Sequence, residues 1–351
     1  MMEPAALLET LVAMPSVSGA ELALADQVAS LLAAEGFQVR RTGSNVWFET
    51  GTGGPRLLFV SHLDTVPPCD GWSFDPFTPR WSGDRLSGLG ANDAKGCVAA
   101  MILAASELQK EPAGVRAVFA FVVGEEVGGK GIQEVLPDLG PLDAAVVGEP
   151  TGLDICAAQR GMLILRCTAQ GEAAHVAHAG LGENAVHKAA RDITRLAGMT
   201  FEPHPLLGTS RAQVTTIQGG RARNQVPDSC EFFVDLRTTP NLDHDDVAGR
   251  IARELESEVA VHSGRYRAVA TDHAEPVVKA ALAASGRKAP CGSATASDWA
   301  FLAHLPTVKA GPGDTHRSHR PDEWLTLGEL KAGAAFYAGL ARAFAVEACR
   351  V

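Results

Sequence analysis

Through its first half the chain alternates short, wholly apolar runs with longer helical stretches, and the runs lead into acidic residues or histidines. Residues 56–61 (RLLFVS), 114–123 (GVRAVFAFVV) and 144–147 (AAVV) lack the polar alternation of a half-exposed strand. They read as strands buried on both faces of a parallel sheet. Ahead of them, residues 20–35 place Leu22, Val28, Leu31 and Leu32 at helical spacing. Residues 93–109 start at an acidic residue and continue as an Ala-rich helix, with Lys95 read as the exposed side of its start. This rhythm predicts a mostly parallel α/β sheet with helices on both faces.

Near residue 155 the rhythm changes. Strands are expected at 162–170, 212–218, 229–238 and 259–268, and helices at 183–196 and 243–258, giving the β-α-β-β-α-β order of a ferredoxin-like α+β domain. From about residue 270 a helix, a strand at 306–309, a loop and a final helix at 327–343 resume the first pattern. The expectation is an α/β domain of residues 1–156 and 266–351 carrying an inserted domain of residues 157–265; 351 residues is long for a single core.

The net charge of −10 argues against a nucleic-acid partner, because phosphate binding needs clustered Lys and Arg. It leaves room for an anionic small molecule held by a few local Arg residues. The first residues, MMEPAALLETLVAMPSVSG, lack a basic start and a long apolar run, so no signal peptide is expected. No stretch reaches the roughly 18–20 apolar residues a membrane span requires. The seven cysteines are scattered, odd in number and without a CxxC pair. Reduced thiols in the cytoplasm are expected.

The chemistry concentrates where strands are expected to end, which is where open α/β sheets place their sites. His62 and Asp64 lie in SHLDTVP, Asp93 in GANDAKG, Glu125 and Glu126 in VVGEE, Glu149 in VVGEPT, and His319 in GPGDTHRSHRPDEW. Zinc takes His nitrogen and carboxylate oxygen, and a carboxylate can bridge two ions. Asp64, two residues after His62, could accept the other ring N–H and fix the tautomer. Glu125 and Glu126, adjacent after an apolar strand, repel each other unless cations are near. One can bind metal while the other serves as general base. His316, three residues before His319, is the rival ligand.

In order and over nearly the whole chain, these motifs, with the NQVPD and DLR segments, resemble the M20 family of dinuclear zinc peptidases and deacylases, and within it the acetylornithine deacetylases. The resemblance implies that His62 and Glu149 hold one metal and Glu126 and His319 the other, with Asp93 bridging and Glu125 as proton shuttle. It implies two Zn2+ ions, for which Co2+ could substitute, and a homodimer formed through the inserted domain. His175, or His178 three residues on, would reach the partner's active site as an oxyanion donor. Asn224 and Arg237 match positions that grip a substrate carboxylate, and Ser297 and Asp298 lie where relatives carry a Thr-Ser-Asp loop near substrate, although Ala296 replaces the Thr here.

The implied reaction is hydrolysis of an N-acyl amino acid by a water that Glu125 deprotonates. Acetylornithine, in arginine biosynthesis, is the first substrate expected. Acetylcitrulline, succinylated amino acids and carrier-linked lysine are alternatives. A dipeptidase or aminopeptidase of the same family is a second reading. A metal-free binding protein is a third, which would show broken ligands, and none is broken.

Overall fold

The computed structural model describes residues 3–350. The chain divides into two compact units: Met1–Ala157 with Thr271–Cys291 and Ser297–Val351, and Ala158–Ala270 with Gly292–Ala296. Residues 266–270 and 292–296, read from sequence with the first unit, fall in the second. Local pairing explains this: the Tyr266 carbonyl accepts from Met162 N, Val269 and Ala270 pair with Gln159 and Ala158, and the Ser293 carbonyl accepts from Arg160 N.

The first unit is built on a sheet whose central strands, Arg116–Val122, Arg56–His62, Ala144–Val147 and Thr307–Lys309, are parallel neighbours in that order. Asn45–Thr50 and Arg40–Thr42 extend one side antiparallel, and Cys156–Gln159 joins the other side antiparallel. This is the expected mostly parallel α/β sheet. The strands read as apolar runs because both faces are covered: all but the first residue of Arg116–Val122 and of Arg56–His62 is buried. Phe48, Phe119 and Phe59 sit opposite one another on three adjacent strands. Their rings stack with centroids 5.2 and 4.9 Å apart, and Tyr337 of the last helix meets Phe59 edge-on at 5.8 Å. Such pairs add about 0.5–1.5 kcal/mol each beyond area burial.

Helix Lys95–Lys110 packs on the Arg56–His62 strand and on the final helix, Leu327–Ala348. The final helix opens with a capping box, in which the Thr326 hydroxyl accepts from Glu329 N and the Glu329 carboxylate accepts from Thr326 N.

The second unit has the expected β-α-β-β-α-β order: Leu163–Gln170, Ala185–Gly198, Ala212–Gly219, Ser229–Leu236, His244–Glu254 and Glu258–Ser263. Its four strands form an antiparallel sheet in the spatial order Ala212–Gly219, Ser229–Leu236, Leu163–Gln170, Glu258–Ser263. Burial alternates residue by residue along LILRCTAQ and SCEFFVDL, so one face of the sheet holds the core. Among the described residues, no helix is long and apolar enough to cross a membrane.

Candidate metal centre

Four parallel strands end at one place. His62 closes its strand; Glu125 and Glu126 follow Arg116–Val122; Glu149 follows Ala144–Val147; and the loop after Thr307–Lys309 runs on to His319. Asp93 sits just before helix Lys95–Lys110, across a cis peptide to Ala94. His62 Nε2 lies 3.3 Å from Asp93 Oδ1 and 3.8 Å from Glu149 Oε1. His319 Nε2 lies 2.9 Å from Glu126 Oε1 and 3.9 Å from Asp93 Oδ2. Asp93 thus turns one oxygen to each histidine. The donor atoms of His62, Asp93 and Glu149 fall within 4.8 Å of one another, as do those of Asp93, Glu126 and His319 and those of His62, Glu125 and Glu126. Ligands at zinc bond lengths around a tetrahedral ion are roughly 3.3–3.5 Å apart, so the donor set and spacing fit two small cations. His316, the rival ligand, is exposed and belongs to none of these groups.

The electrostatics ask for positive charge. Burial, helped by Glu149, Asp298 and Glu126, drives the Glu125 carboxyl well above its ordinary value. Burial raises Glu149 to about 7 against the opposing pull of Lys309. His319 is raised to about 9, chiefly by its contact with Glu126. Burial would depress His62, but Asp64 and Asp93 beside it lift it well above its usual value. Carboxylates crowded in this way hold protons or hold metal.

The surroundings differ from the sequence reading at Asp64. The Nδ1–H of His62 donates to the Asp64 backbone carbonyl at 2.9 Å, while the Asp64 carboxylate lies 3.6 Å from that nitrogen. The carboxylate instead accepts from Glu125 N and Glu126 N, both at 3.1 Å, and from the Ser18 hydroxyl at 2.8 Å. Asp64 therefore fixes the His62 tautomer through its main chain and the Glu125–Glu126 turn through its side chain.

Glu323 was missed and Lys95 misread, while Asp298 was expected only as part of the loop that carries Ser297. Glu323 Oε1 accepts from Asn92 N at 2.8 Å and Asp93 N at 2.9 Å, fixing the backbone that presents Asp93. Its place in HRPDEW, four residues after His319, was the only available signal. Lys95, read as exposed, is buried, and its ammonium donates to the Met14 carbonyl at 2.7 Å. Asp298 is buried with Oδ1 unpartnered. That oxygen lies 2.8 Å from where a Cβ on Gly129 would sit, at the end of the turn carrying Glu125 and Glu126. Burial, with Glu149 and Asp64 adding to it, raises Asp298 to about 8. His319 itself adopts a left-handed backbone (φ 57°), a conformation that costs a non-glycine residue about 1–3 kcal/mol and that clusters at functional sites.

The remaining expected site residues are dispersed. Ser297 is buried and caps the short helix Asp298–Leu302 by accepting from Trp299 N. In the second unit, His175 and Asn224 line one shallow concave face with Ala173, Ala174 and Gln225. The His178 ring is 6.3 Å from that of His175. Arg237 is spent on Asp235, to which it donates twice, at 2.9 and 3.1 Å.

Comparison with known proteins places this centre in context. The profile of Peptidase family M20/M25/M40 matches residues 58–343. A Mycobacterium tuberculosis protein provisionally named as a succinyl-diaminopimelate desuccinylase is 31% identical over 348 residues, covering 94% of this chain and 95% of its own. A succinyl-diaminopimelate desuccinylase of Rhizorhabdus wittichii is 29% identical over 378 residues, covering 97% and 98%. Among solved structures, a dinuclear metal-binding peptidase of Bacillus subtilis superposes with a TM-score of 0.76 at 18% identity, covering 97% of this chain and 96% of that one.

Proposed function

The chain belongs to peptidase family M20/M25/M40 and is a hydrolase of amide bonds, and from that premise we propose that it removes an acyl group from an N-acylated amino acid, a succinylated diamino acid first. The observation that carries the proposal is the pair of donor triads sharing Asp93, with Glu125 beside them. Acetylornithine, expected first from the motifs, gives way because the relatives named above are desuccinylases, which moves the reading from arginine to lysine biosynthesis.

His62 and Glu149 would hold one divalent cation and Glu126 and His319 the other, with Asp93 between; zinc is proposed, with cobalt as a substitute. When bound, such a pair supplies Lewis acidity and lowers the pKa of a shared water. Glu125 takes the proton of the attacking water and returns it to the departing amine. Asp64 keeps that carboxylate in register through the Glu125 N–H. As the amide carbonyl becomes tetrahedral, its oxygen needs a donor, and His175, contributed by the second copy of a homodimer, is proposed for that role. Exposure of His175 beside Asn224 supports a substrate contact there. Asn224 is favoured over Arg237 for the substrate carboxylate, because Arg237 would first have to release Asp235.

A hydrolysis screen tests this reading. N-succinyl-diaminopimelate, N-succinyl-ornithine, N-acetylornithine, N-acetylcitrulline and dipeptides would be compared with and without chelator. The highest kcat/KM is expected for a succinylated diamino acid, abolished by chelator. Turnover of dipeptides alone would move the assignment to a peptidase.

A further inference from the structure

Outside the metal centre, two cysteines that are 135 residues apart in sequence meet with their sulfurs 3.4 Å apart. Cys156 begins the strand Cys156–Gln159 and is buried; Cys291 begins the neighbouring strand Cys291–Ser293 and is partly exposed. The backbone is pinned there, because Cys291 N donates to the Ile155 carbonyl at 2.8 Å. A disulfide needs the sulfurs at about 2.05 Å, a short side-chain approach from the observed contact. The two thiols also differ. The hydrogen bond with Cys156 is the main influence pulling the Cys291 thiol below its usual value, and Arg287 adds to it. That same bond, then burial, pushes the Cys156 thiol up, so Cys156 keeps its proton. One sulfur is therefore accessible and thiolate-prone, and the other is positioned to resolve it.

We propose that Cys156 and Cys291 form a reversible redox pair, a site of oxidative modification by hydroperoxides that closes to an intramolecular disulfide. The Cys291 thiolate attacks one oxygen of the peroxide, breaking the O–O bond to give a sulfenic acid and, with one proton, an alcohol or water. The Cys156 sulfur then attacks the Cys291 sulfur, and the S–O bond breaks to release water. Two thiols lose two electrons and two protons to one hydroperoxide. Reduction by a dithiol restores the pair.

The test uses the protein's own cysteines as controls, since Cys69 and Cys349 are exposed. Reduced, metal-loaded protein is exposed to limiting hydrogen peroxide, its free thiols are alkylated, and peptides are mapped by mass spectrometry. The Cys156–Cys291 cross-link is expected before Cys69 or Cys349 is modified, and dithiothreitol should remove it. In Cys156→Ser the sulfenic acid should persist on Cys291 and be trapped by dimedone. In Cys291→Ser, Cys156 should stay reduced. If both thiols of the wild-type protein remain alkylatable after Cys69 and Cys349 are consumed, the pair is close packing only and the proposal is overturned. The wild-type result stands without either variant folding.

Discussion

Glu125 and Glu126 share a turn yet are assigned opposite tasks, and the difference lies in what surrounds each carboxylate. Glu126 faces His319 at 2.9 Å, whereas Glu125 is influenced by the acidic Glu149 and Asp298. Replacing Glu125 with Gln removes the proton carrier and leaves the five proposed ligands in place. The expected result is unchanged metal content with kcat lowered by about 10²–10⁴-fold, read by elemental analysis and initial rates. Glu323 is expected to act through Asp93. In Glu323→Ala the N–H groups of Asn92 and Asp93 lose their acceptor, and metal affinity should fall by roughly 10–100-fold in a chelator competition, with circular dichroism confirming the fold. Unchanged affinity would contradict that role. The proposed ligands could be picked out from sequence because each follows an apolar strand or starts a helix. Glu323 and Lys95 could not, because their importance comes from what folds over them: a buried lysine and a surface lysine look alike in a string of letters.

Among the elements, the buried strands were the most legible, and 144–147 came out to the residue. Where expectation and structure part, a tertiary contact wins over local propensity. The helix expected at 243–258 stops at Glu254, because the next turn turns inward to Asp192. The Asp192 carboxylate accepts from Glu256 N at 3.0 Å, Ser257 N at 2.8 Å and the Ser257 hydroxyl at 2.7 Å. Asp192 lies on another helix, so no local pattern announces it. Asp192→Ala should cost about 2–4 kcal/mol, seen in denaturant unfolding, because these three donors and the Arg195 guanidinium lose a buried charged acceptor. His244, which begins the shortened helix, is buried between the Thr238 hydroxyl at 2.8 Å and the Gly264 carbonyl at 3.1 Å. Burial lowers its pKa below the usual 6.5. Because its folded pKa is the lower, the unfolded chain takes up more protons as pH drops through 6.5, and stability falls in that window. The penalty for His244→Gln should therefore shrink between about pH 7.5 and about pH 5.5, as read by melting temperature. A constant penalty would contradict a neutral buried His244.

For the molecule as a whole, folding gathers six carboxylates (Asp64, Asp93, Glu125, Glu126, Glu149 and Asp298) around His62 and His319. A cluster so rich in acid is a stability cost without cations and a binding site with them. Prolonged chelation should lower the melting temperature as well as remove activity, since a ligand at 100 times its Kd contributes about 2.7 kcal/mol to the folded state. The two-part architecture was legible from the change of rhythm near residue 155. The assignment of residues 266–270 and 292–296 was not, because it depends on pairing with a strand more than a hundred residues away. A two-cation amide hydrolase worked by Glu125 can be checked by a metal titration of the chelated protein, with hydrolysis of an N-succinyl diamino acid as readout. Activity should rise with added zinc and level off at two equivalents per chain, while Glu125→Gln takes up the same two equivalents and stays inactive. Full turnover in excess chelator, or a Glu125→Gln protein as active as the wild type, would contradict the account.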